Sequence, residues 1–223
     1  MIFYDFEVFA FDWLVVLINP FEKEKKVIVD NVEQLREYYE KHKEDIWIGY
    51  NSRMFDQYIL KAILCGFNPK QISDHIISGK GGWSFSSLLS SFPLNNYDVM
   101  TSFHGLKQLE GFMGNDIKET TVDFNLNRKL NEAEIEETIK YCTHDVEQTI
   151  EVFIKRREEF DAHLGLIKMF SLPLIYIGKT KPQLSAIILD CNKKTYDDEF
   201  DLQIANCIEI KKYKEVNDFY QNH

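Results

Sequence analysis

Residues 2 to 9 alternate without a slip. Ile2, Tyr4, Phe6 and Val8 face one way and Phe3, Asp5, Glu7 and Phe9 the other, which is the period of a β-strand. Trp13 to Ile18 and Lys26 to Val29 carry the same signature, and the short joints between the three segments predict an antiparallel meander. Ile46 to Gly49 reads as a short buried strand and Asn96 to Met100 as the last one. Elsewhere the period is helical. Asn31 is placed to cap a helix to about Lys43, with Leu35, Tyr38 and Tyr39 on its inner stripe. A second helix spans about Phe55 to Cys65 and stops at Gly66, and a short one covers Gly105 to Phe112 before Gly114. A long helix opens on a capping box, Asn131 with Glu134, and runs to about Glu159. Its apolar stripe is Ile135, Ile139, Cys142, Val146, Ile150 and Phe153. Leu172 to Ile175 reads as an apolar hinge, Gln183 to Leu189 as a helix and Asn192 to Asp201 as a polar segment. Tyr213 to Tyr220 is helical in pattern without a stop signal, which points to a piece of a longer protein.

The bulk numbers narrow the classes. At 223 residues the chain suits one domain with at most an appendage, and 44% hydrophobic with 14% aromatic residues excludes global disorder. No apolar run approaches the ~20 residues of a membrane span; the longest, Leu14 to Ile18, lies between Asp12 and Asn19-Pro20. Acids at positions 5 and 7 with no basic stretch before them exclude a signal peptide. Cys65, Cys142, Cys191 and Cys207 form no C-x-x-C pair, which fits a reducing cytoplasm and suggests no zinc site. Ser78 to Ser84 is glycine-rich but lacks the spacing of a phosphate-binding loop, and reads as a flexible loop. A net charge of −10 argues against sequence-blind duplex binding. It does not exclude a grip on a few nucleotides through stacking and metal ions.

The acids carry the chemistry. Asp5 and Glu7 leave the same face of a strand whose neighbours are nearly all apolar. Two adjacent buried carboxylates are costly unless a cation neutralises them; the alternative is an exposed edge strand. Asp56 opens a helix, where a capping role would suffice, and Asn51 is most simply a turn residue. Tyr141 and Asp145 are neighbours at i and i+4, about 100–140° off the apolar stripe, on a solvated flank or a cleft wall. His144 points further round and reads as a surface histidine. Carboxylates from distant segments with no Cys/His cluster suit Mg²⁺ or Mn²⁺.

Taken in order, Asp5-x-Glu7, Asn51-x-x-x-Phe55-Asp56 and Tyr141-x-x-x-Asp145 resemble the three motifs of the 3′→5′ exonuclease domain of DNA polymerases, the DEDD family in its tyrosine-bearing form. Gly105-Leu-Lys-Gln-Leu-Glu110 and the approach Leu130 to Glu134 also resemble that family, most nearly its bacteriophage members. One departure is Val8, where many members carry threonine. The resemblance covers residues 1–160. It implies an α/β, ribonuclease-H-like fold: a mixed five-stranded sheet, its first three strands antiparallel, flanked by helices. Residues 161–223 would be a helical extension toward a polymerase body, in cis or in trans. It further implies two Mg²⁺ or Mn²⁺ ions, with Asp5 bridging them, Glu7 and Asp145 completing one site and Asp56 holding the other. Tyr141 would orient the attacking water; its ordinary pKa near ~10 makes it a poor base. The substrate would be a single-stranded DNA 3′ end, with Asn51 and the rings of Phe9, Phe55 and Phe103 as candidate contacts, a place in the core being the simpler reading of any one ring. The location would be cytoplasmic, in a host cell if the chain is phage-encoded, with no membrane. A stand-alone 3′→5′ ribonuclease and a non-catalytic single-strand-binding or docking module are the competing readings.

Overall fold

The computed structural model describes residues 1–100, 104–191, 215 and 218. The expectations for Phe103, for Asn192 to Asp201 and for most of Tyr213 to Tyr220 lie outside the described residues. Five strands form one mixed sheet: β1 Ile2–Val8, β2 Trp13–Asn19, β3 Glu24–Val29, β4 Trp47–Gly49 and β5 Asn96–Asp98, in the order β3-β2-β1-β4-β5. The β1–β2 and β2–β3 pairs are antiparallel, as the short joints require, while β1–β4 and β4–β5 are parallel. The chain is therefore an α/β protein with a five-stranded mixed sheet between helices.

β1 lies at the centre of the sheet, paired with β2 on one side and β4 on the other, with one face wholly apolar and the other carrying Asp5 and Glu7 beside Phe3. Ile2, Tyr4, Phe6 and Val8 join Trp13, Val15, Leu17 and Ile28 in one core. Helices α1 Val32–Lys41, α2 Asp56–Leu64 and α3 Pro69–Ile77 cover it through Leu35, Ile59, Ile63 and Ile72. Trp47 is fully buried there, edge-on to Tyr4 at 5.5 Å. On the other face α6, Glu132–Lys155, packs across β1 and β2, with Phe153 edge-on to Phe3 at 5.2 Å.

The departures from expectation have local causes. The long helix breaks at Arg156 (φ −109°, ψ 17°) and restarts as α7, Arg157–Met169. Arg156 donates to the Val99 carbonyl at 3.1 Å and to Glu159 at 3.1 Å, and the bend sets Phe160 5.0 Å from Tyr97. One compact unit runs from Met1 to Lys181. Helix α3 adds to the elements expected from the sequence: Asn68 caps it and Pro69 opens it. Two shorter helices are α4 Ser87–Ser91 and α5 Leu106–Met113; α8 is Lys181–Ile188. The 78–84 loop carries a 3-10 turn at Gly82–Ser84, whose Ser84 hydroxyl is 3.0 Å from His75 Nε2. The expected hinge at Leu172 to Ile175 runs into a second 3-10 turn, Leu174–Gly178. Among the described residues no helix is long and apolar enough to cross a membrane.

Gly49 ends β4 where a side chain has no room: an added Cβ would lie 2.7 Å from Ser52 Cβ and 3.2 Å from the Tyr4 carbonyl. Gly49→Ala is expected to cost about 1–3 kcal/mol of stability in urea unfolding and to displace the turn leading to Asp56. Wild-type stability in that variant would show that the turn absorbs the methyl.

Candidate active site

The strand period sends Asp5 and Glu7 toward α6, opposite Val16 and Leu14 of β2. Glu7 is buried and Asp5 partly so, so the edge-strand alternative does not hold. The next acid arrives through the turn after β4. Asn51 sits at φ +56°, where asparagine is tolerated, and its carbonyl accepts from Met54 N at 3.0 Å and Phe55 N at 3.3 Å. Asp56 is then the first residue of α2, but its carboxylate does not act as the expected cap. It accepts the Phe6 backbone N–H at 3.1 Å. That N–H lies beyond the end of the β1–β4 ladder, which pairs only Ile2 and Phe3, so Asp56 satisfies a donor the short strand leaves over.

Asp145 corrects the reading of α6. Its buried face is Thr138, Cys142, Asp145, Val146, Thr149, Val152 and Phe153, while Ile139 and Ile150 are only half-buried. The threonines disguise this face in the sequence. Thr138 and Thr149 each return their hydroxyl to the carbonyl four residues back, at 2.8 and 2.9 Å, and so enter a core as apolar side chains do. Asp145 lies in the middle of that face, not on a flank. His144, expected on the surface, is buried as well, its Nε2 3.4 Å from Glu110 of α5.

The result is a cluster of like charges. Ligand-type atoms of Asp5, Glu7 and Cys142 all lie within 4.8 Å of one another. Burial raises the Asp5 pKa well above the carboxylate range, and the charges of Asp56, Glu7 and Asp145 raise it further. Glu7 is raised likewise, by burial and then by Asp145 and Asp56. Asp56 is pushed up to about 7 by burial, against the opposing N–H of Phe6. Asp145 is raised by burial and held back by Lys107. Burial, the charges of Asp145 and Glu7 and the proximity of Asp145 drive the Tyr141 pKa upward, so it stays protonated. The four acids named from the sequence thus share one electrostatic environment, with Tyr141 in it.

Four participants were missed. Lys107 of α5 places its ammonium on Asp145, 3.3 Å from the fully buried Glu110, and 4.7 Å from the Tyr141 ring centre. Cys142, assigned to the core alone, also donates its thiol to the Asp5 carbonyl at 3.3 Å and to Asp5 Oδ2 at 3.5 Å. Asp98, at the end of β5, accepts from Arg53 N at 3.0 Å and Met100 N at 2.9 Å, pinning the turn before Asp56. A buried acid in an apolar strand is the signal that singled out Asp5; Asn96-Tyr97-Asp98-Val99 carries it too. Glu110 gave no such signal.

The donors fit a hard divalent cation: carboxylates crowd together and the ammonium of Lys107 offsets only part of their charge. The Cys142 thiol is the one soft atom beside them. Of the substrate-facing candidates, Phe9 is buried and stacked on Phe124 at 4.9 Å, in a cluster with Val122 and Leu130. That ring belongs to the core and leaves no face open to a base. Phe55 is half-buried against the main core, and Asn51 is exposed. A groove of about 700 Å³ opens beside Tyr141, its charged lining split between Lys25, Lys118 and Lys140 and Glu119, Glu137 and Glu147. None of the protein-family models, curated proteins or solved structures compared with the chain matches it.

The raised carboxylates imply a pH dependence. A group that titrates higher when folded stabilises the fold fully below its unfolded pKa, near ~4, and loses that contribution as pH rises through the folded value, about 7 for Asp56. In chelator, the thermal midpoint is therefore expected to be higher near pH 5 than near pH 8, by a margin that Asp5→Asn narrows. A midpoint that climbs over this interval, or a margin indifferent to Asp5→Asn, contradicts the electrostatic account.

Proposed function

We propose that this chain is a metal-dependent 3′→5′ exonuclease domain of ribonuclease-H-like architecture, removing nucleotides from DNA 3′ ends beside a polymerase body. The carrying observation is the Asp5–Glu7 pair on a central strand, electrostatically joined to Asp56 and Asp145, which come from two distant helices. Three further facts support the reading. The acids stand in the chain order of the exonuclease motifs, Lys107 touches both Tyr141 and Asp145, and the sheet pairs an antiparallel meander with two parallel strands.

Asp5, Glu7 and Asp145 would hold one divalent ion and Asp56 a second. When bound, such a pair supplies Lewis-acid stabilisation of both oxygens in a phosphodiester displacement. The chain's own contribution is orientation. Asp56 is fixed by the Phe6 N–H, so its position follows the central strand. Tyr141, protonated and half-buried, can donate or accept at the attacking water without serving as its base. Lys107 tethers Tyr141 and Asp145 from α5, and its positive charge suits a scissile phosphate.

A 5′-labelled single-stranded DNA in Mg²⁺ is expected to shorten from its 3′ end, and Asp5→Asn and Asp145→Asn to reduce this to background with the fold intact by circular dichroism. Tyr141→Phe should slow the reaction about 10- to 100-fold with unchanged Mn²⁺ affinity in calorimetry. RNA digested faster than DNA would replace the substrate class. Undiminished cleavage by Asp5→Asn would remove the assignment, and absence of any Mn²⁺ uptake would favour a docking module.

A further inference from the structure

A second convergence of ligand-type atoms lies away from the exonuclease-like acids, where the β2–β3 turn meets the end of α1. Atoms of Glu22, Glu24 and His42 all lie within 4.8 Å of one another. The turn is built to present the acids: Asn19 Oδ1 accepts from Phe21 N at 3.2 Å and Glu22 N at 3.4 Å, and Lys23 takes φ +54°. Glu24 then opens β3.

His42 is pinned on every side but one. Its backbone N–H donates to the Tyr38 and Tyr39 carbonyls at 3.1 and 3.0 Å. Its carbonyl accepts the Trp47 indole at 3.0 Å. Its ring lies 4.5 Å from that of Tyr38, and Nδ1 is 2.8 Å from the Asp45 carboxylate. A carboxylate on Nδ1 places the ring proton there, so Nε2 presents its lone pair. That lone pair has no partner, although His42 is only 3% exposed. Five buried side-chain polar atoms among the described residues lack a hydrogen-bond partner. Three of them are His42 Nε2, Glu24 Oε2 and the Tyr38 hydroxyl. Buried polar atoms left unpaired are costly and uncommon, and three on neighbouring side chains call for one shared partner. The partner is a cation: Glu22 and Glu24 are acids, and their charges rank next after burial among the influences on the Tyr38 hydroxyl. Lys41 does not fill the role. Its ammonium forms ion pairs with Glu22 at 3.7 Å and Glu24 at 3.8 Å, both beyond hydrogen-bond reach, and leaves His42 Nε2 and Glu24 Oε2 without a hydrogen-bond partner.

We propose that Glu22, Glu24 and His42 form a binding site for a divalent transition-metal ion of the zinc class, with Asp45 as the outer carboxylate orienting the histidine. One imidazole with two carboxylates selects such an ion over Mg²⁺, which prefers oxygen ligands alone. The carboxylate–histidine–metal arrangement is the usual way a ligating ring is held. The ion ties the β2–β3 turn to α1, and its role is structural. The cysteine spacing that suggested no zinc site could not reveal ligands brought together by folding.

The test is calorimetric titration of the metal-stripped full chain with Zn²⁺ in excess Mg²⁺, in an Asp5→Asn background so that Asp5, Glu7 and Cys142 do not compete. One ion per chain is expected, with a higher thermal midpoint. The Glu22→Gln/Glu24→Gln double variant, altered only at partly exposed side chains, should lose at least about tenfold in affinity, and Asp45→Asn about 10- to 100-fold. X-ray absorption at the zinc edge should show nitrogen and oxygen neighbours without sulfur. No zinc uptake, a sulfur shell, or an affinity unchanged in the double variant overturns the proposal.

Discussion

Mutual repulsion among buried carboxylates is the constraint around which this protein is organised. Asp5, Glu7, Asp56 and Asp145 each raise the energy of ionising another member of the group. Nothing intrinsic to the side chains would keep them together. Each is held by an element that the core needs for other reasons. β1 is the central strand between β2 and β4, α2 covers its apolar face through Ile59 and Ile63, and α6 covers the face that bears the acids through Val146 and Phe153. Hydrophobic burial thus supplies the free energy that confines the charges. This division of labour between scaffold and site lets a rigid sheet hold a strained electrostatic arrangement.

The turn between β4 and α2 shows how closely scaffold and site are joined. Tyr4, from the core face of β1, donates to Asn96 Oδ1 at 2.8 Å, and Ser52 donates to the same oxygen at 3.2 Å. Asp98 receives Arg53 N, while the Arg53 side chain reaches the Gly178 carbonyl at 3.1 Å. Asp56 finally returns to Phe6 N. The position of one carboxylate therefore depends on three strands and a distant 3-10 turn. Lys107 and Glu110 add a counterweight from α5: an ammonium that partly neutralises Asp145 beside a carboxylate fully out of water. The cluster is poised rather than balanced, which is the condition in which a divalent cation binds with most effect.

The same physics recurs at His42 with a different result. There the groups are a single imidazole and two acids at a turn, and the signal is three polar atoms without partners rather than a shift in ionisation. Carboxylate crowding in one place and an orphaned lone pair in another are two signs of groups without a full complement of partners.

The strand period of residues 2 to 9, the capping residues Asn31 and Asn131, and Gly66 and Gly114 at positive φ are local properties, and the chain alone determined them. So were Asp5 and Glu7 on one face and Tyr141 beside Asp145, because a strand or helix repeats without reference to the rest of the molecule. Other features needed the tertiary structure. The buried face of α6 runs through Thr138 and Thr149, whose hydroxyls are silenced by backbone bonds that composition cannot reveal. Phe9 went to the core because Phe124, 115 residues away in the chain, stacks on it. Lys107, Glu110 and Cys142 entered the site only when α5 and α6 were packed, and Glu22, Glu24 and His42 met only when a turn was folded against a helix end. Periodicity assigns a residue to a face; which distant face it meets depends on how the apolar surfaces pack together, and that is a property of the whole chain.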